Sequence, residues 1–371
     1  MKQTIIHWIK KDVILMISWI LAILFMVVVP PDKQYLEYID WKTLGLLFSL
    51  MAVMAGLKEM GVFQTLGKHL LSKVKSKRGI ESVLVLLCFF SSMIVTNDVA
   101  LITFVPFAIE VLTMANKKKS IVFVVVMQTI AANLGSMFTP IGNPQNLYIY
   151  AKSQMPLQVF FITIAPYVVL SFVLIMICLL CRKNELVKAN LNIHYVGKVK
   201  KEKLVAYGIL FVLNLLCVGK ITPVWMIVII TVIMLSVMDR KIFGKIDYAL
   251  LFTFIGFFLF VGNMGRITTL KQWIEAILQK NELLTIIGTS QVISNVPTAL
   301  LLSGFTSHWE ILLIGTNLGG LGTMIASMAS LISYKYIAKE LPNEKGQYVI
   351  SFTICNIGFL VLLVGLYLVI S

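Results

Sequence analysis

The sequence predicts an all-α polytopic membrane protein. It should hold two inverted-topology repeats, each with a re-entrant helical hairpin and a broken transmembrane helix. Three observations carry that expectation. Of 371 residues, 58% are hydrophobic and 13% charged, with a mean hydropathy of +0.91, whereas soluble domains are about 25% charged. Apolar runs of crossing length recur from end to end, and no polar stretch of domain length interrupts them. The polar residues expected at membrane depth gather in a few short clusters, and the clusters recur in the same order.

Crossings are expected at 13–29, 43–57, 120–150, 157–181, 204–219, 222–238, 247–265, 308–338 and 346–370, because about 20 residues span the hydrocarbon. No small-residue cleavage site follows the first run, and Pro30-Pro31 comes next, so it reads as a membrane helix rather than a cleavable signal. The 120–150 and 308–338 runs are too long for one straight helix and carry glycine and polar clusters in mid-span. Both read as broken. The stretches 80–114 and 283–305 each hold a polar tip, and limbs such as 80–95 and 99–114 are short for full crossings. They read as hairpins entering and leaving on one face, since irregular backbone survives at depth only inside protein or beside a wet cavity. Before each hairpin lies an amphipathic segment: Val62, Leu66, Leu70 and Val74, then Ile267, Leu270, Trp273, Ile274, Ile277 and Leu278. Apolar residues at helical spacing among lysines suit an interfacial helix.

The chain reads as one membrane domain, 1–371. Repeat one is 13–181, a basic loop follows at 182–203, a linking helix at 204–219, and repeat two is 222–370. One extra crossing between two copies inverts the second. Paired motifs support the duplication: Ile39-Asp40-Trp41 with Ile246-Asp247-Tyr248, and Thr96-Asn97 with Ser294-Asn295. Asn133-Leu134-Gly135-Ser136 matches Asn317-Leu318-Gly319-Gly320, which aligns Thr139 with Thr323.

The net charge of +15 does not indicate nucleic acid. Lys33, Lys42, Lys152, Lys220, Arg266, Lys271 and Lys280 fall on the side opposite the N-terminus; the other 25 of the 32 Lys and Arg fall on the N-terminal side. That bias marks the N-terminal side, including Lys2, Lys10 and Lys11, as cytoplasmic, with the C-terminus outside. The membrane is then the inner or plasma membrane, and the basic runs face anionic lipid. Five scattered cysteines include Cys178 and Cys181, read as small helix residues rather than a redox pair. His7, His69, His194 and His308 are far apart, so no transition-metal set and no cofactor is expected.

Four breaks carry the chemistry: Thr96-Asn97-Asp98, Gly135 to Asn146, Ser294 to Thr298, and Gly319 to Ser330. A carboxylate in hydrocarbon costs about 2.5–3.5 kcal/mol, so Asp98 is paired, faces water or binds something. The bland alternative is a surface loop between two helices. Asn143-Pro144 is an N-cap followed by a first-turn proline, and Ser294 or Asn295 before Pro297 is another. Helix N-termini present free N–H groups and partial positive charge, which together suit an anion. The glycines would expose carbonyls to a small cation such as sodium. Gly319, Gly320, Ala326 and Ser327 serve equally as small residues for close packing. Asp98 beside an anion requires a proton or cation to neutralise it first.

At these residues the chain resembles the ion-transporter superfamily. That group includes arsenite/antimonite permeases, NhaD-type sodium/proton antiporters, citrate transporters and divalent-anion/sodium symporters. Thr96-Asn97-Asp98-Val-Ala-Leu-Ile before Pro106 looks like its hairpin signature. Gly142-Asn143-Pro144-Gln145-Asn146 is similar to the Gly-Thr-Pro-Pro-Asn break of the symporters. The resemblance implies hairpin tips and paired broken helices that bind sodium and anion, and a dimer with an elevator-like transport domain. It implies binding roles for Thr96, Asn97, Gly142, Asn143, Asn146, Ser294, Asn295, Thr298 and Thr323, to which the residue reading adds Asp98. Sodium is expected at Asn97, Asp98, Asn143 and Asn295. The Asn-Asp tip leans toward the arsenite-permease branch.

The expected function is secondary transport of a small inorganic or organic anion coupled to sodium or protons. Two alternatives stay open: a sodium/proton antiporter, and an arsenite or antimonite efflux permease. A membrane enzyme would need a nucleophile and base, or a metal set, at depth, and no break supplies one.

Overall fold

A computed structural model describes residues 13–72, 74–187 and 201–370. Lys2, Lys10, Lys11, His7, His194 and the centre of the expected basic loop lie outside the described residues. The described chain is helical, with one isolated bridge between Ser76 and Leu186.

The first stretch runs α1 (Val13–Val28), α2 (Trp41–Glu59) and α3 (Val62–Leu71), then the hairpin α4 (Lys77–Ser92) and α5 (Asn97–Met114). The first long run divides as expected into α6 (Ile121–Ser136) and α7 (Pro144–Ser153), followed by α8 (Leu157–Leu180). After α9 (Lys201–Val218) the same order returns. It runs α10 (Val224–Met238), α11 (Tyr248–Gly265), α12 (Thr268–Lys280), the hairpin α13 (Glu282–Ile293) and α14 (Asn295–Leu302), the divided α15 (Trp309–Leu318) and α16 (Met328–Glu340), and α17 (Lys345–Ile370). Asp40 and Asp247, paired by sequence, open α2 and α11 identically. Each side-chain oxygen accepts the N–H three residues on, Thr43 and Leu250, at 3.0 Å.

Two expectations need adjusting. The limb 99–114 was expected to be short, yet α5 has 18 residues and counts among six described helices long and apolar enough to cross a membrane. Pro106 sits inside it without ending it; a packed membrane helix tolerates proline because neighbours re-satisfy the backbone. The amphipathic α3 stops at Leu71, so Val74 lies beyond it.

Burial divides the molecule. Every residue of 124–137 and of 141–150 is buried, which makes α6 and α7 the hub. By contrast Val169 of α8 is 62% exposed, Val237 of α10 81% and Val361 of α17 63%. Large aliphatic side chains facing outward on several helices are stable in lipid and costly in water. The protein is a multi-pass membrane protein.

The mouths of the two hairpins are held by different elements, the first at the end of α8 and the second on α7. At the first, Arg78 Nη1 donates to Leu180 O at 3.0 Å, and Arg182 pairs with buried Glu81 at 3.3 Å while lying over the Phe123 ring. Glu185 pairs there with Lys117 at 2.5 Å, which ties the chain after α8 to the chain after α5. At the second mouth, Ser303 just after α14 meets Tyr148 of α7 at 2.7 Å. The first and last thirds also interlock. Trp19 Nε1 of α1 donates to Phe252 O of α11 at 3.1 Å, and Phe25 meets Phe260 edge-on at 4.9 Å. A Cβ at Gly256 would sit 2.7 Å from Ser18 Oγ, so only glycine allows that approach.

Candidate functional site

Four helices begin at one buried place. Helix α5 starts at Asn97 and α7 at Pro144; α14 starts at Asn295 and α16 at Met328. Each hairpin tip is bound to the break of its own half by one backbone contact. Asn97 N–H donates to Gly142 O at 3.1 Å, and Asn295 N–H donates to Ala326 O at 2.9 Å. Each tip asparagine then turns its side-chain oxygen onto the next N–H, Asp98 at 2.9 Å and Val296 at 3.0 Å. Asn143 caps α7 as its sequence predicts, accepting from Asn146 N–H at 2.8 Å, with Pro144 following.

The two breaks are stitched to each other. Asn143 Nδ2 donates to Asn317 Oδ1 at 3.0 Å, and Asn317 Nδ2 donates to Asn146 Oδ1 at 2.6 Å. In the other direction, Ser327 Oγ donates to Asn133 Oδ1 at 3.0 Å, an oxygen that also accepts from Asn97 Nδ2 at 3.1 Å. Buried amides hold their orientation because every lost bond costs about 1–3 kcal/mol.

The structure brings Asn97, Gly142, Asn143 and Asn146 into one network. Gly142 lies against the Ser136 carbonyl, where a side chain has no room. Thr96 precedes α5 in extended backbone and makes no cap bond. The half-buried Asp98 carboxylate accepts no hydrogen bond among the described residues. Ser294 and Asn295 form the second tip, but Ser294 does not cap α14: its φ is +74° and its hydroxyl donates to Ala326 O at 3.3 Å. Thr298 is turned inward onto Ser294 O at 2.8 Å. Thr323 is exposed and bound to Gln291 instead, its N–H donating to Oε1 at 2.8 Å.

The carbonyls expected to be open for a cation are largely engaged. Asn146 Nδ2 donates to Met137 O and Thr139 O at 3.1 Å, and Gln291 Nε2 donates to Gly319 O and Leu321 O at 3.0 Å. The reason is general: a helix C-terminus buried at a break needs its carbonyls satisfied.

The residues singled out from sequence do not include Asn133, Gln291 or Asn317, which the structure joins to this network, and Ser327, inside the fourth break, is weighed there as a packing residue. The signal was present, since Asn133 and Asn317 head the paired motifs, but there it served only as a mark of duplication. Inside the described network there is no Lys, Arg or His. The chemistry on offer is neutral N–H and O–H donors, helix N-termini, and one carboxylate at the edge.

Residues 4–307 match the citrate transporter family profile, CitMHS. An uncharacterized transporter of Methanocaldococcus jannaschii is 32% identical over 320 residues, covering 85% of this chain and 86% of that one. The inner membrane protein YbiR of Escherichia coli is 28% identical over 308 residues, 82% of each chain. A silicon efflux transporter of Oryza sativa is 33% identical over 154 residues, 42% of this chain and 31% of that one.

Proposed function

The chain belongs to the citrate transporter family of membrane transporters, and from that premise we propose that it carries a small anion across the cytoplasmic membrane, coupled to sodium or protons. The observation that carries the reading is the meeting of four helix N-termini around buried neutral amides, with Asp98 at the rim. N–H groups and helix dipoles attract an anion. The carboxylate opposes it until a proton or cation neutralises Asp98, and that order of events couples the two fluxes.

The segments 13–181 and 222–370 are two inverted copies in this reading. Support comes from the equal interval of ten residues between Asn133 and Asn143 and between Asn317 and Ser327. Further support comes from the reciprocal pairs Asn143–Asn317 and Ser327–Asn133. The Lys and Arg bias supports a cytoplasmic N-terminus and an external C-terminus, and reporter fusions at both ends landing on one side would break the inversion. A working dimer belongs to the same proposal.

A second reading is export of a small weakly charged oxyacid of the arsenite or antimonite type. The purely neutral donor set favours it, and so does the likeness to a protein named for silicon efflux. One experiment separates the readings. Reconstituted vesicles are given phosphate, sulfate, citrate and arsenite under imposed sodium or proton gradients. Gradient-driven accumulation of phosphate, sulfate or citrate supports anion coupling, and movement of arsenite alone supports the second reading. Sodium/proton exchange with no solute flux would replace it with antiport.

A further inference from the structure

A groove of about 1290 Å³ opens between α2, α7, α10 and α11, and none of its lining residues belongs to a hairpin tip or a break. Its walls are apolar: Leu44 and Phe48 of α2, Val228 and Ile229 of α10, Phe252 and Ile255 of α11. It follows α11 back to Tyr248, about two turns of helix, so it is long as well as apolar.

Its rim is basic. Lys42 at the start of α2, Lys152 at the end of α7 and Lys220 between α9 and α10 all line the groove. They are three of the seven Lys and Arg expected on the face opposite the N-terminus. Three separate parts of the chain thus bring cations to one groove, on the face where cations are fewest. None of the three forms an ion pair among the described residues. Lys220 is held by neutral groups: Nζ donates to Gln154 O at 3.0 Å and Met155 O at 3.2 Å, and lies 5.1 Å from the Tyr150 ring centre. Two acids share the rim. Asp40 is engaged in capping α2, its two oxygens accepting from Thr43 N–H at 3.0 Å and Thr43 Oγ1 at 2.7 Å. That leaves Glu37 against three ammonium groups. Trp41 and Trp225 also line the groove and are 60% and 65% exposed, and tryptophan favours the level of lipid headgroups.

We propose that this groove binds one anionic phospholipid, with its phosphate at Lys42, Lys152 and Lys220 and an acyl chain along α10 and α11. Hydrocarbon covers an apolar wall at no cost in hydration, and the rim selects which lipid supplies it. Ammonium groups without carboxylate partners attract a headgroup of net negative charge; a zwitterionic headgroup brings a cation of its own. A soluble anion would meet the same lysines and leave the apolar wall uncovered. The site is independent of which solute the protein carries.

The full-length protein in phosphatidylcholine vesicles, given a trace of phosphatidylglycerol with a photoreactive acyl chain, tests this once the labelled residues are mapped. Labelling at Ile229 or Phe252 should exceed that from the matching phosphatidylcholine probe by roughly fivefold. Lys42→Gln with Lys152→Gln should cut the phosphatidylglycerol labelling by roughly threefold. Lys33→Gln with Lys280→Gln removes equal charge from the same face outside the groove and should leave it unchanged. Equal labelling by the two probes overturns the assignment, and so does an equal fall in the two double variants. Loss of labelling on adding inorganic phosphate would make the rim a site for a soluble anion and overturn it too. If Lys42→Gln with Lys152→Gln does not fold, the comparison of the two probes on the wild type still decides.

Discussion

The first hairpin meets its break through Asn97 and carries a carboxylate, Asp98, one residue on; the second meets its break through Asn295 and carries Val296 in the same place. The first turns at Thr96 in ordinary extended backbone, while the second turns at Ser294 with φ +74°. The first has limbs of 16 and 18 residues, the second of 12 and 8. At its mouth the first is anchored by the buried Glu81–Arg182 pair, the second by Glu282 with His308 at 2.7 Å. One arm is long, relaxed and charged, the other short, strained and neutral. The proposed coupling through Asp98 therefore concerns the first tip alone, because the second carries no ionisable side chain at the matching position.

The largest test of that contrast is Asp98→Asn. Cation-driven accumulation of anion should be lost entirely while anion exchange down its own gradient continues, as measured on the same vesicles. Full gradient-driven uptake would make the two tips equivalent in charge terms. Asn295→Ala comes next. Transport should be abolished with expression and folding near wild type, and wild-type uptake would reduce the second tip to packing. The mouths can be compared by stability. Arg182→Ala leaves Glu81 buried without its partner and should cost about 3 kcal/mol, whereas Glu282→Gln should cost less than about 1 kcal/mol; thermal unfolding in detergent reads both. The smallest effect is at the turns. Ser294→Gly should stabilise by about 1 kcal/mol, because a positive φ of this kind suits glycine alone, while Thr96→Gly should destabilise by a few tenths of a kcal/mol. Equal responses at the two turns would remove the strain from the comparison.

Much of this was legible in the residues. Asn143-Pro144 announced the start of α7, and Asp40 and Asp247 announced α2 and α11, because a cap is a local device readable from a few neighbours. The breaks at 136–144 and 318–328 followed from length and glycine content. The second limb of the first hairpin, expected at 99–114, runs Asn97–Met114; only its sufficiency in length for a crossing differs from the reading, and Pro106 sits inside it because neighbouring helices absorb a proline. The bonds from Asn143 to Asn317 and from Ser327 to Asn133 join residues far apart in sequence. No local pattern carries them, and only the paired motifs hinted that those asparagines shared a task. The family resemblance implies a binding role for Thr323, and in the fold it is exposed and bound to Gln291, a contact with a neighbouring hairpin that no local pattern announces.

The interlock of α1 with α11 sets a timetable for biosynthesis. Ser18 packs on Gly256 and Trp19 on Phe252, so α1 enters the bilayer long before its partner has been made. At about 5–20 residues per second, roughly ten to fifty seconds separate the two segments at the ribosome. Over that interval the face of α1 that will meet Gly256 has only lipid or the insertion machinery to cover it. A crosslinker at position 18 should capture lipid or insertase in chains stalled before residue 256, and α11 in chains stalled well beyond it. Late capture of lipid alone would mean that the two helices find each other only after release.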